Sequence, residues 1–152
     1  MTVRVQTADF DIGAEINQLR QARKDIGAVV SFVGLVRDLN DGDTVSQLTL
    51  EHYPGMTEKS LTAIIQQAKS RWNIMDALIV HRVGTLQPSD QIVLVIVTSA
   101  HRGDAFSACE FMMDYLKTEA PFWKKEANST GEHWIEAKSA DDTARDRWSI
   151  EK

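Results

Sequence analysis

A single cysteine, Cys109, stands in a chain of 152 residues. That count excludes an internal disulfide and any cysteine-rich zinc cage. Proline occurs at only three positions, so each one is informative about where an element must break. No run approaches the ~18 consecutive apolar residues of a membrane-spanning helix. The opening "MTVRVQTADF" has no basic segment followed by an apolar stretch, and so lacks the pattern of a secretion signal. A basic excess is missing too: 17 Lys and Arg stand against 22 Asp and Glu, a net charge of −5. A nucleic-acid-binding domain normally carries a basic footprint, which this balance argues against. His52, His81, His101 and His133 lie far apart with no helical pair of the HExxH kind, so neither a metal nor a cofactor is expected. What is present, 43% hydrophobic and 26% charged residues, suits one cytoplasmic globular domain over residues 1–152 with a real core.

The hydrophobic periodicity predicts an α+β fold. Ile12, Ile16 and Leu19 recur at helical spacing in "IGAEINQLRQARK". "GAVVSFVGLVR" reads as a buried strand entered after Gly27, "DLNDGDT" as a turn or mobile loop, and "VSQLTLEHY" as the hairpin partner returning beside it. Leu61, Ile64, Ile65, Ala68 and Trp72 form the stripe of a second helix, with Thr57 placed to cap its start. "DALIVHRVG" and "QIVLVIVTSA" follow as strands, the latter central. Residues 104–118 are helical again, with Phe106, Cys109, Met113 and Leu116 on a shared face. Pro121 ends that helix and suits the first position of a new short one. "HWIEA" reads as a last strand, and 137–152 as a polar tail expected to be mobile.

Three groups of residues can carry chemistry. His101 and Arg102 emerge where a buried strand gives way to a helix, whose free N–H groups and dipole favour an anion. Arg102 adds a forked cation and His101 a hydrogen bond or proton. The competing structural reading pairs Arg102 with Asp104 and makes His101 a cap. Lys117, Lys124 and Lys125 surround Pro121, Phe122 and Trp123 in "LKTEAPFWKKEA". A bend at the proline can wrap Lys117 and Lys124 round one cavity with aromatic walls, where low dielectric strengthens each charge. The alternative is a solvated helix end, where a lysine suits the dipole. Arg37 closes an apolar run beside Gly34, a position where a ligand or another backbone can approach; otherwise it is a surface arginine paired with Asp38. Cys109 falls on an apolar stripe with no base beside it and reads as core. The residues by themselves reach an anion pocket and no further.

In order and spacing, "FVGLVRD", "LTLEHYPGM", "HRVG", "TSAHR", "YLKTEAPFWKKE" and "HWIEA" resemble the large catalytic subunits of molybdopterin synthases, from about Gly27 to Ala137. "SAHR" followed by "LKTxAPFWKxE" is the specific part. The resemblance implies an α/β-hammerhead fold with additional antiparallel β structure. It also implies a sulfurtransferase that converts cyclic pyranopterin monophosphate into molybdopterin by installing two sulfurs as a dithiolene. Sulfur would arrive as a thiocarboxylate on the C-terminal Gly-Gly of a small ubiquitin-like partner, and two large subunits would pair centrally in a heterotetramer.

By the same resemblance, Lys117 and Lys124 are the catalytic lysines. Leu35, Val36, Arg37, His101, Arg102, Lys125 and Glu126 join them in binding substrate. Leu35 replaces a lysine of some family members, and Gly103 and Asp104 replace commoner small residues after "SAHR". Lys138 is a candidate for completing the pocket of a second subunit. Two anions must meet in this reaction, and a cluster of cations would offset their repulsion. Two other classes remain open at this point. A phosphohydrolase would need metal-binding carboxylates, for which only Asp38, Asp41 and Asp43 form a run. A non-enzymatic adaptor would capture an acidic tail in the same pocket.

Overall fold

The computed structural model describes residues 2–40, 42–128, 131–135 and 139–149. Its centre is the segment most easily read from sequence. Gln91–Ser99 (β7) is buried along nearly its whole length, as its continuous valine, leucine and isoleucine run requires. It pairs antiparallel on one side with Ile74–Arg82 (β5) and on the other with Ala28–Leu35 (β2). Thr2–Gln6 (β1) adds parallel to the outside of β5, giving the sheet order β1-β5-β7-β2.

Each face of this sheet is covered because alternate residues of β5 and β7 point to opposite sides. Leu78, Val80, Leu94 and Ile96 meet Ile12, Ile16 and Leu19 of Ile12–Arg20 (α1), which Asp11 caps by accepting the Ala14 N–H at 3.0 Å. Ala77, Ile79, Val93, Val95 and Val97 meet the stripes of Met56–Arg71 (α2) and Arg102–Glu119 (α3). Burying each large aliphatic side chain here contributes about 1.5–3 kcal/mol before entropy is charged against it.

A second sheet is built on Asp43–His52 (β4). Leu39–Asn40 (β3) pairs with its start, Gly84–Leu86 (β6) with its middle, and Phe122–Asn128 (β8) along its other edge. Gly131–Ile135 (β9) then pairs with β8. The chain crosses between sheets through Val83, directly after β5. Val36, Leu48, Leu50 and Leu86 form a small core beneath this sheet.

Several expectations are corrected. β2 is an edge strand with Phe32 and Leu35 exposed, not a buried one. β4 is not its hairpin partner; the Val45 N–H donates to the Asp38 carbonyl at 2.7 Å, closing the short β3–β4 turn and sending the chain into the second sheet. The segment after Pro121 is a strand instead of a helix, because β4 offers a free edge from Val45 to His52 and the ladder overrides local preference. Thr57 does not cap α2. Gly55 holds that position, and its N–H donates to Glu58 at 2.9 Å. Residues expected as a tail include Ser139–Asp146 (α4), followed by Trp148, which packs edge-on to Trp72 and Phe111. Ala137 and Lys138 lie outside the described residues.

Candidate active site

The chain bends sharply between the two lysines. α3 ends at Glu119, and Ala120 takes an extended conformation at φ −80° and ψ 134° because the ring of Pro121 disfavours helix in the residue before it. Lys117 lies in the last turn of α3, exposed and suited to the negative end of the helix dipole. Lys124 lies in β8, half-buried, opposite Leu50 on one side and Ile135 on the other. Strand alternation puts Lys124 on the same face as Phe122 and Glu126, the face that meets the small core.

Both lysines lie within electrostatic reach of a buried imidazole. His81, at the end of β5, is 3% exposed and stacks on Phe122 with ring centroids 3.8 Å apart and planes at 19°. Its Nδ1 donates to the Arg82 carbonyl at 2.8 Å, since a carbonyl can only accept. Burial first, and then the charges of Lys124, Lys117 and His52, push its pKa down to about 3. His81 is therefore neutral at any working pH, and its field records both lysines within electrostatic reach.

Arg37 belongs to this same end. It follows β2, whose Leu35 pairs with Gln91 at the start of β7. Val36 is held by its N–H to the Asp90 carbonyl at 2.9 Å and by the Ser89 N–H, which it accepts at 2.7 Å. With 5% exposure its side chain is core, packed with Leu48, Leu50 and Leu86, while Leu35 and Arg37 face solvent. Gly34 makes room for a neighbour of its own chain: a Cβ there would come within 2.9 Å of Val93 Cγ1.

His101 and Arg102 lie at the other end of the molecule. β7 carries the chain from Gln91 to Ser99, α3 brings it back, and fifteen residues of α3 separate Arg102 from Lys117. Roughly 22 Å of helix lies between them, more than one small substrate spans. Both side chains are exposed, and His101 occupies the cap position without a side-chain cap bond. Asp104, the expected partner of Arg102, accepts instead the Asn73 N–H at 3.0 Å. Among the described residues, Arg37, Arg102 and Lys117 have no ion-pair partner.

The last two candidates divide between the faces of β8. Glu126 shares the Lys124 side, opposite Leu48 and His133. Lys125 points to the opposite face, where it pairs with Glu132 at 3.4 Å and lies over the Trp134 ring at 5.4 Å. Sequence reading took Thr57 for a helix cap and weighed His81 only as a metal ligand; both are buried groups behind the bend. Alternation along "ALIVH" carries the signal for His81: it shares a parity with Ala77 and Ile79, and so points at α3. Cys109 is buried, and burial pushes its thiol up to about 12, consistent with a core residue. Among the described residues no three His, Cys, Asp or Glu side chains are grouped as a metal site; Asp41 lies outside them.

Known proteins resemble this chain over almost its whole length. The profile of the MoaE protein family matches residues 5–119. The molybdopterin synthase catalytic subunit of Ralstonia nicotianae is 62% identical over 149 residues, covering 98% of this chain and 85% of that protein. The catalytic subunit of Yersinia pestis is 56% identical, covering 96% of each. A solved structure, the molybdopterin biosynthesis MoaE protein from Burkholderia ambifaria, superposes with a TM-score of 0.84 at 57% identity and covers 99% of both chains. The chain belongs to the MoaE family of molybdopterin synthase catalytic subunits.

Proposed function

We propose that this chain, an enzyme of molybdenum-cofactor biosynthesis, acts in the cytoplasm as a sulfurtransferase. It moves sulfur from the C-terminal thiocarboxylate of a small ubiquitin-like partner to cyclic pyranopterin monophosphate. The observation that carries this reading is the placement of Lys117 and Lys124 on either side of the Pro121 bend, both within electrostatic reach of one buried, neutral imidazole. An anionic tail and a phosphorylated substrate repel one another, and fixed cations in a partly desolvated site offset that repulsion without reorganising.

Lys117 stabilises the charge that develops as the donor sulfur attacks a substrate carbon and displaces its oxygen, which leaves as the ring-opened phosphate oxygen or as water. Water then hydrolyses the acyl–sulfur bond, and the tail leaves as a carboxylate. Lys124 positions the thiocarboxylate or donates a proton, and Arg37 binds the substrate. Two donors are consumed per dithiolene. No catalytic cysteine is required, because the donor supplies the sulfur. His101 and Arg102 enter through a central homodimer: a second copy placing its own pair at the lysine end would hold the phosphate there as its ring opens, which one chain cannot do across ~22 Å of α3.

The test combines the chain with a thiocarboxylated small partner and the cyclic pterin, and follows dithiolene product by mass. Product formation that survives chelation supports sulfur transfer. Inhibition by chelators would point to metal-dependent phosphoryl chemistry, and tight partner binding without product to an adaptor.

A further inference from the structure

The bend between the two lysines is held from behind at two consecutive residues. Thr57, fully buried at the start of α2, donates its hydroxyl to the Pro121 carbonyl at 3.0 Å and accepts the Tyr53 N–H at 3.0 Å. Its backbone N–H donates to the Tyr53 carbonyl at 2.9 Å, so the residue anchoring the bend is itself fixed. His81 stacks on Phe122, the next residue along, and its Nδ1–H bond to Arg82 fixes the rotation of the ring. Pro121 and Phe122 both lie within the segment that joins Lys117 to Lys124.

A threonine with no exposure and a histidine with 3% are out of reach of substrate. A buried hydroxyl that donates to a single carbonyl in a separate element specifies where that carbonyl sits, because losing the bond would leave the carbonyl without that partner. The histidine suits its place for a second reason. Lys124 on β8, Lys117 on α3 and His52 on β4 lie within electrostatic reach of it, with Arg82 beside it on its own strand, so a neutral aromatic ring adds no repulsion where a cation would.

We propose that Thr57 and His81 are positioning residues that set the separation of Lys117 and Lys124 by clamping Pro121 and Phe122. The inference rests on the lysines being the catalytic pair. A displacement of about 1 Å in a catalytic group can cost on the order of 100-fold in rate, so the loss of either clamp reads out as turnover.

The experiment measures kcat, the pterin KM, partner affinity and melting temperature for Thr57→Val, Thr57→Ser, His81→Ala, His81→Phe and Phe122→Leu, with Lys117→Ala and Lys124→Ala alongside. Thr57→Val, His81→Ala and Phe122→Leu are expected to lower kcat about tenfold or more, with KM and partner affinity within about twofold of wild type. Thr57→Ser, which keeps the hydroxyl, and His81→Phe, which keeps the stack, are expected to recover most of that turnover. Phe122→Leu, altering a half-buried ring, reports on the clamp if Thr57→Val does not fold. Folded clamp variants with wild-type kcat, or losses confined to KM or to partner affinity, overturn the clamp while dead lysine variants leave the catalytic reading standing. Lysine variants with full turnover overturn that reading and the clamp with it.

Discussion

Lys117 is exposed and Lys124 half-buried, and neither holds the core together, so substitution separates chemistry from folding. Lys117→Ala is expected to keep the melting temperature and lose product formation by about 100-fold or more, the usual cost of removing an electrostatic stabiliser. Lys125→Ala is expected to stay within about twofold, because that lysine faces Glu132 and Trp134 on the far side of β8 and an exposed pair contributes little. Comparing the two in one turnover assay tests whether alternation along the strand governs function. His81 makes a pH prediction whose sign is fixed. Its folded pKa is depressed to about 3 from 6.5, so the unfolded state binds the extra proton. The stability contribution is complete above pH 6.5 and is lost as pH falls towards 3, at up to ~1.4 kcal/mol per pH unit. Denaturant titrations between pH 6.5 and about 5.5, above the ordinary carboxylate range, are expected to show this slope in wild type and a flatter one in His81→Phe.

Elements whose pattern is local were legible in the sequence. The stripe of α2 and the continuous apolar run of β7 are set by burial within one segment, and both stand where the periodicity predicts them. Elements decided by a distant partner were not. "FWKKEAN" becomes a strand because Asn128 finds Val45, 83 residues earlier, and no local signal reports that edge. "AVVSFVGL" reads the same at the rim of a sheet as at its centre, so its edge position was invisible. β1 was overlooked because five alternating residues are too few to stand out. The C-terminal segment was misread through its charge. Trp148 Nε1 donates to Asp114 at 2.7 Å, its carbonyl accepts from Arg71 at 2.9 Å, and Arg147 pairs with Asp114 at 2.9 Å. Trp148→Ala is expected to destabilise the fold by about 2–3 kcal/mol, lowering the melting temperature by roughly 4–12 °C. An unchanged melting curve would mean that α4 and its tryptophan are not anchored on α3.

At the scale of the molecule, the candidate site was legible in kind but not in place. Sequence reading identified the basic residues; it could not see that α3 holds two groups of them at opposite ends, with Arg37, Lys117 and Lys124 at one and His101 and Arg102 at the other. Periodicity reports which face a residue occupies and says nothing of which copy it serves. If a homodimer joins the two groups, chains carrying Lys117→Ala and chains carrying Arg102→Ala, each inactive alone, are expected to recover about a quarter of wild-type turnover when co-expressed and allowed to pair at random. Half of the dimers are then hybrids, and each hybrid has one intact site. No recovery would place the whole reaction within one chain. The most direct measurement remains the reconstituted reaction: thiocarboxylated partner, cyclic pterin and this chain, with product followed by mass for wild type and Lys117→Ala. Sulfur transfer at the lysine bend requires a dithiolene product that disappears with Lys117→Ala while partner binding persists. Equal product from both proteins would contradict it.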